Sequence, residues 1–425
     1  MQRREFLVGC SAAIAAMAGS RITGFSFAPD RDAKEIFVFV FLRGGCDGLN
    51  LVGPVNDASY VAERPLELRI GESGDNAGLM LKNGLAGLDF RLHAKAPELK
   101  ALYDAGNLAI IHGAGLVNGT RSHFDAQDYI ERGSASDKNL SEGWFTRFLK
   151  STTEPGSVSL LRSMAINAVL PASFLGSQQT VALTALTDYK LQGDARLFDL
   201  VKSFYQGDHL IDEVANNTLQ SIQYLRRELS KSGGDGILDG ASLKKAGYPE
   251  NNPFGRSLAT LAQLAKMDVG LQVATVDYGG WDTHERQTNI FSGLTEGLSK
   301  SLGAFYDDLG DRRSRVTVVV MSEFGRRLKA NKSGGTDHGH GNMMMVLGGQ
   351  VKGGKMYGKW PGLSNEQLDN NVDLAVTTDY RAVLSEVLVR RMQARKLGYI
   401  FPGLKAYTPL DLINGTDLPV DMTLK

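Results

Sequence analysis

This chain has very little cysteine. Cys10 and Cys46 are its only two in 425 residues. Cys10 falls in a segment with the layout of an export signal, so the mature chain is expected to keep one thiol and no internal disulfide. An excess of charge of either sign is lacking too: Lys+Arg and Asp+Glu both number 47 and the net charge is +0. No basic patch stands out, which argues against nucleic acid as a partner. No long hydrophobic run occurs either. The longest, Phe6 to Ala18, is too short to span a bilayer, so no stable membrane span is expected. Internal repeats, low-complexity tracts and long linkers are absent from the mature chain.

The N-terminus reads as a leader. Arg3-Arg4 is a twin-arginine pair, and the uncharged apolar stretch behind it completes a positive n-region and a short h-region. Ala16-Met17-Ala18 and Ser26-Phe27-Ala28 are cleavage candidates, and Leu7-Val8-Gly9-Cys10 is a weaker lipoprotein-type alternative. The expected division is a signal peptide over 1–28 and one domain over 29–425. The twin-arginine route carries folded cargo, so the export machinery is an expected partner and the periplasm, or another exported location, the expected destination.

The mature composition is ordinary for a globular protein, with 42% apolar and 22% charged residues, and its 49 glycines suggest many tight loops. Five short apolar runs read as strands buried on both faces: Ile36–Leu42, Leu108–His112, Leu271–Val276, Val316–Met321 and Met343–Leu347. Helical patterns separate them, at Ala96–Ala105, Leu197–Lys231, Ser257–Lys266, Leu294–Leu309 and Tyr380–Leu397. The alternation predicts an α/β fold, a three-layer sandwich around a mainly parallel sheet. The region from about 130 to 255 has weak strand signal and reads as a mostly helical insertion.

Histidine is scarce, and its placement is informative. Three of the seven sit beside carboxylates in Gly279-Gly280-Trp281-Asp282-Thr283-His284 and Gly334-Gly335-Thr336-Asp337-His338-Gly339-His340. Imidazole and carboxylate together are donors for divalent metals. Asp47 follows the Ile36 run, Ser122-His123 the Leu108 run, Asp282 and His284 the Leu271 run, and Glu323 the Val316 run. In open α/β sheets ligands bind beyond the carboxyl ends of the strands. Asp337, His338 and His340 instead precede a strand and must reach the site on an entering loop. The candidate metal ligands are therefore Asp47, Asp282, His284, Glu323, Asp337, His338 and His340. Thr120 or Ser122 sits where a helix N-cap is expected, and a hydroxyl there beside a metal can act as a nucleophile. Arg121 adds an anion-binding guanidinium, and with His123 these residues form the candidate catalytic segment.

These motifs resemble the DUF1501 family of exported bacterial proteins, which is related to sulfatases within the alkaline phosphatase-like superfamily. The resemblance rests on the twin-arginine start, Phe41-Leu42-Arg43-Gly44-Gly45-Cys46-Asp47-Gly48-Leu49-Asn50, Arg121-Ser122-His123-Phe124-Asp125-Ala126-Gln127, Gly280-Trp281-Asp282-Thr283-His284, Met321-Ser322-Glu323-Phe324-Gly325-Arg326-Arg327, Gly335-Thr336-Asp337-His338-Gly339-His340-Gly341, Gly358-Lys359-Trp360-Pro361-Gly362-Leu363 and Thr377-Thr378-Asp379-Tyr380-Arg381. It implies an alkaline phosphatase-like fold and hydrolysis of a small anionic phosphate or sulfate ester. One or two divalent ions (zinc, manganese, magnesium or calcium) are implied with it. By this likeness Asp47 and Glu323 would serve one ion, and Asp282, His284 and His340 or His338 the other. The chain departs from the superfamily in having Glu323 where an Asp-His pair is usual. It also lacks the sulfatase pattern of a modifiable Cys or Ser ahead of Pro-Ser-Arg. The nucleophile stays open between Ser122, Thr120 and a metal-bound water. A metal-stabilised envelope protein without turnover is the alternative.

Overall fold

Every residue of Ile36–Leu42 is buried, and this run forms the middle of the sheet in a computed structural model. The structure describes residues 35–152, 161–177, 180–188, 195–207, 209–231 and 238–424; the twin-arginine segment and both cleavage candidates lie outside the described residues. Among the described residues the larger of two sheets has nine strands: β1 (Ile36–Leu42), β2 (Leu108–Gly115), β3 (Ser163–Ala165), β4 (Val181–Ala182), β5 (Val273–Tyr278), β6 (Val316–Ser322), β7 (Asn342–Gly348), β8 (Met356–Tyr357) and β9 (Thr378–Asp379). Their order is β8-β2-β7-β6-β1-β5-β3-β4, with β9 paired to β2. β1 is parallel to both β5 and β6, in the register Phe39↔Thr275 and Phe39↔Val319.

β7 runs against the rest, antiparallel to both β2 and β6. The sheet is mainly parallel, as expected, and the Met343 run is its antiparallel member. Its direction accounts for the odd position of the histidine motif. Asn342, the first residue of β7, pairs with Ala114 near the end of β2. The loop entering β7 therefore opens on the edge where β1, β2, β5 and β6 finish.

Helices cover both faces. They include α1 (Pro97–Asp104), α2 (His123–Glu131), α3 (Trp144–Thr152), α4 (Leu210–Lys231), α5 (Pro253–Lys266), α6 (Gln287–Asp308) and α7 (Tyr380–Arg390). Strand alternation divides β1 between two cores. Val38 and Val40 join Leu99 of α1, Leu258 and Leu261 of α5, and Leu298 and Leu302 of α6. Phe37, Phe39 and Phe41 join Trp144 and Phe145 of α3 and Val383 and Leu384 of α7. Burying each of these side chains contributes about 1.5–3 kcal/mol.

Several helix bounds differ from those expected, each for a local reason. α6 begins at Gln287 rather than Leu294, because the buried Gln287 side chain has polar partners inside the fold. Leu197–Lys231 is two helices, Ala195–Ser203 and α4, with Gly207 in the break. α7 stops at Arg390, and Gln393, at φ 57, turns the chain before a separate helix at Leu397–Ile400. The region from 130 to 255 is largely helical among the described residues, and it also adds β3 and β4 to the sheet. At two or three residues each, those strands are too short to leave a periodic signal. No helix among the described residues is long and apolar enough to cross a membrane.

Phe39 is 2% exposed and meets the Trp144 ring edge-on at 5.7 Å. Phe39→Ala should cost about 3–5 kcal/mol of unfolding free energy. Equilibrium denaturation checks this, and a loss under about 1 kcal/mol would contradict the packing described.

Candidate metal centre

The edge loops are drawn together by one buried guanidinium. Arg326 leaves β6 and is 1% exposed. Its Nε donates to the Gly45 carbonyl at 2.6 Å, and its Nη1 to the Thr336 carbonyl at 2.8 Å. Its Nη2 reaches the Gly44 carbonyl, the Trp281 carbonyl and Asp282 Oδ1. One side chain thus joins the loops after β1 and β5 to the loop before β7. Gly44 makes the approach possible: at φ +121, a Cβ there would stand 2.5 Å from the Asp282 amide nitrogen.

Three histidines converge on Asp282. His338 Nε2 lies 3.2 Å and His284 Nε2 3.1 Å from Asp282 Oδ1, and the two nitrogens are 2.9 Å apart. His123 Nε2 lies 3.5 Å from Asp282 Oδ2; it is buried and has no hydrogen-bond partner. Each Nδ1 faces a separate acceptor: His123 that of Glu323 Oε1 at 2.7 Å, His338 the Arg121 carbonyl at 2.8 Å, and His284 Asp337 Oδ1 at 3.4 Å.

Electrostatics favour ionised carboxylates here. Burial pushes the Glu323 carboxyl up, but hydrogen bonds from His123 and Gln127 outweigh it and hold the group at about 2. The Gly44 amide and the Ser322 hydroxyl also donate to it. Burial likewise raises Asp282, and the Arg326 hydrogen bond and charge, with His338 and His284, bring it to about 2. Asp337 is lowered chiefly by the Asn331 amide. The hydrogen bond to Glu323 raises His123, whereas burial lowers His338.

The other expected site residues have different settings. Asp47 is fully buried and committed to Arg64 at 2.7 Å, Gln287 at 2.6 Å and the Asn50 amide at 3.2 Å. His340 is bonded on both nitrogens, to Asp369 at 2.8 Å and the Leu116 carbonyl at 2.9 Å. Glu323 and Asp337 reach the cluster only through the histidines they face. Ser122 is the N-cap of α2, accepting from the Asp125 amide, and Thr120 Oγ1 accepts from the Ser122 amide. Among the described residues no imidazole or carboxylate hydrogen-bonds either hydroxyl. The Arg121 guanidinium is held by the buried Asp373 carboxylate. The sequence reading missed Arg326, Gln127 and Gln287 as organisers. Their only signal was position beside the motifs.

The donor set fits a divalent metal. The Arg121 carbonyl can only accept, so His338 Nδ1 carries a proton and the neutral ring has a lone pair on Nε2. An ionised Glu323 and Asp337 select the same tautomer at His123 and His284. In these tautomers three Nε2 atoms and a carboxylate face one another, two of the nitrogens 2.9 Å apart and the His123 nitrogen lacking any partner. Such a group needs a positive charge among it, which a shared proton or a bound dication supplies. His123, Asp282, His284 and His338 are the residues that would hold the ion.

The family described as "Protein of unknown function (DUF1501)" matches residues 123–397, more than half of the chain. No curated protein matches. Among solved structures, the PsFucS1 sulfatase from Pseudoalteromonas sp. is similar at 9% identity and TM-score 0.38, over 98% of this chain and 78% of that one. The alkaline phosphatase from the Antarctic bacterium TAB5 is similar at 8% identity and TM-score 0.26, over 74% and 92%. The lipoteichoic acid synthase LtaP from Listeria monocytogenes is similar at 10% identity and TM-score 0.25, over 79% and 70%. At these TM-scores the likeness carries nothing about the chemistry of the site.

Arg326→Lys keeps the charge but cannot serve five acceptors on three loops. It should lower stability by at least about 3 kcal/mol, since buried carbonyls lose their donor at about 1–3 kcal/mol each. Denaturant titration of the purified variant measures the loss. Wild-type stability would mean that the loops are held by something else.

Proposed function

This chain belongs to the DUF1501 family, and from that premise we propose that it is an exported metal-dependent hydrolase of phosphate or sulfate esters, working in the periplasm. One observation supports this most. Three imidazole Nε2 atoms surround the Asp282 carboxylate at 3.1–3.5 Å, at the carboxyl edge of a mainly parallel sheet. A bound dication there would supply Lewis acidity to the oxygens of an anionic ester.

The chain's own residues orient the substrate and shield the ligands. Arg121 uses Nε and Nη2 on Asp373, which fixes the plane of its guanidinium. Its Nη1 group remains for an anionic oxygen, and its backbone carbonyl accepts from His338 Nδ1. Ser122 has no base on its hydroxyl, and the His123 nitrogen that could serve as one is turned to Asp282. Water is therefore the favoured nucleophile over Ser122 and Thr120. The same lack of a base favours a second reading, a metal-stabilised binding or assembly protein of the cell envelope without turnover.

A panel of aryl phosphates and aryl sulfates, with divalent ions added singly, separates the two. We expect turnover that a chelator abolishes and re-added metal restores. Ser122→Ala should keep activity within about tenfold, and Arg121→Ala should lose about 10²–10³ in kcat. If no ester is turned over with any divalent ion loaded, the hydrolase reading fails and the binding reading takes its place.

A further inference from the structure

We propose that the cluster is a mononuclear centre for a borderline transition-metal dication of the zinc class, held by His123, Asp282, His284 and His338. Glu323 and Asp337 are positioning residues that face the far side of the imidazoles and are not ligands. This rests on the metal-dependent reading above, and departs from the two-ion arrangement that the superfamily resemblance implies.

The count follows from which donors are already used. Asp47 gives one oxygen to the Asn50 amide and the other to Arg64 and Gln287. Glu323 Oε1 accepts from the Gly44 amide and Gln127 and faces His123 Nδ1; its Oε2 accepts from Ser322. Both nitrogens of His340 are bonded to oxygen acceptors. Asp337 Oδ1 accepts from Asn331 and faces His284. A second ion on Asp47, Glu323 or His340 would have to break a buried ion pair or a filled set of hydrogen bonds, and Asp337 adds only one further oxygen. The Asp282 cluster is one site, and its donors serve one ion.

The identity of the ion follows from the donor atoms. Magnesium and calcium take oxygen donors, whereas imidazole suits zinc and its transition-metal neighbours. Three of the four donors here are imidazole nitrogens. The outer partners support the same choice, because a proton held at Nδ1 fixes the ring and presents Nε2. They are themselves braced. Gln127 donates to Glu323 at 2.8 Å and accepts from Arg43 at 3.0 Å, and Arg43 in turn is paired with Glu131 and Asp277. This chain of contacts ties the ring of His123 to α2 and β5.

The test is metal binding to the full chain after chelation, read by calorimetry and by elemental analysis after dialysis, with circular dichroism to verify that each variant folds. We expect one equivalent of zinc, and no displacement by magnesium or calcium in thousandfold excess. His284→Ala and His338→Ala should each weaken zinc binding by more than a hundredfold. Glu323→Gln should weaken it by about 10–100-fold while keeping one equivalent. His340→Gln should leave it unchanged. Two equivalents, displacement by calcium, or full affinity in His284→Ala would overturn the proposal. One tightly bound zinc without ester turnover would leave this inference standing and remove the hydrolase reading. Ester turnover with two ions bound would do the reverse.

Discussion

The Arg326 guanidinium is the interaction on which the site depends. It sits below three loops that have no regular secondary structure to align them, and its donors reach carbonyls in each. Its last donor goes to Asp282, the carboxylate on which the histidines converge. A planar cation with five fixed donors can perform this task, and a flexible ammonium cannot. The guanidinium also keeps Asp282 ionised in spite of partial burial. Structural order and ligand charge therefore have one source.

The loops could not approach so closely with ordinary residues in every position. Gly44 lies against the backbone of Asp282, and Gly335 against that of His284, where a Cβ would stand 2.3 Å from the carbonyl carbon. Gln287, at the first turn of α6, joins Asp47 to Thr336 and so connects the β1 loop with the β7 loop from below. The buried Asp47–Arg64 pair belongs to this frame. Its carboxylate reads in sequence like a ligand and acts in the structure as a brace.

Much of the sheet was legible in the sequence, because strands buried on both faces are continuous apolar runs. Ile36–Leu42 and Val316–Met321 are the clearest cases, and their observed bounds agree almost residue for residue. β3 and β4 were not legible, since their lengths leave no period and the pairing that joins them to the sheet, β3 with β5, spans a long stretch of sequence. The direction of β7 was hidden for a different reason. An apolar run looks the same in either direction, so only its neighbours reveal the reversal.

Of the site, residue type and spacing marked Asp282, His284 and His338, because imidazoles in glycine-rich loops have no packing role. His123 stood in the candidate catalytic segment with Ser122 and not among the candidate ligands. What sequence alone determined was the inventory: few histidines, four of them beside a carboxylate or a cap in the loops at strand ends of an α/β chain. Tertiary structure decided which of these became donors and which became supports. Asp47 and His340 have the right chemistry, but arginine, glutamine, aspartate and backbone partners saturate them. His123, His284 and His338 each spend one nitrogen on an outer partner and leave the other facing Asp282. Hydrogen-bond saturation is a property of neighbours brought together from distant parts of the chain, so no local pattern in the sequence could encode it.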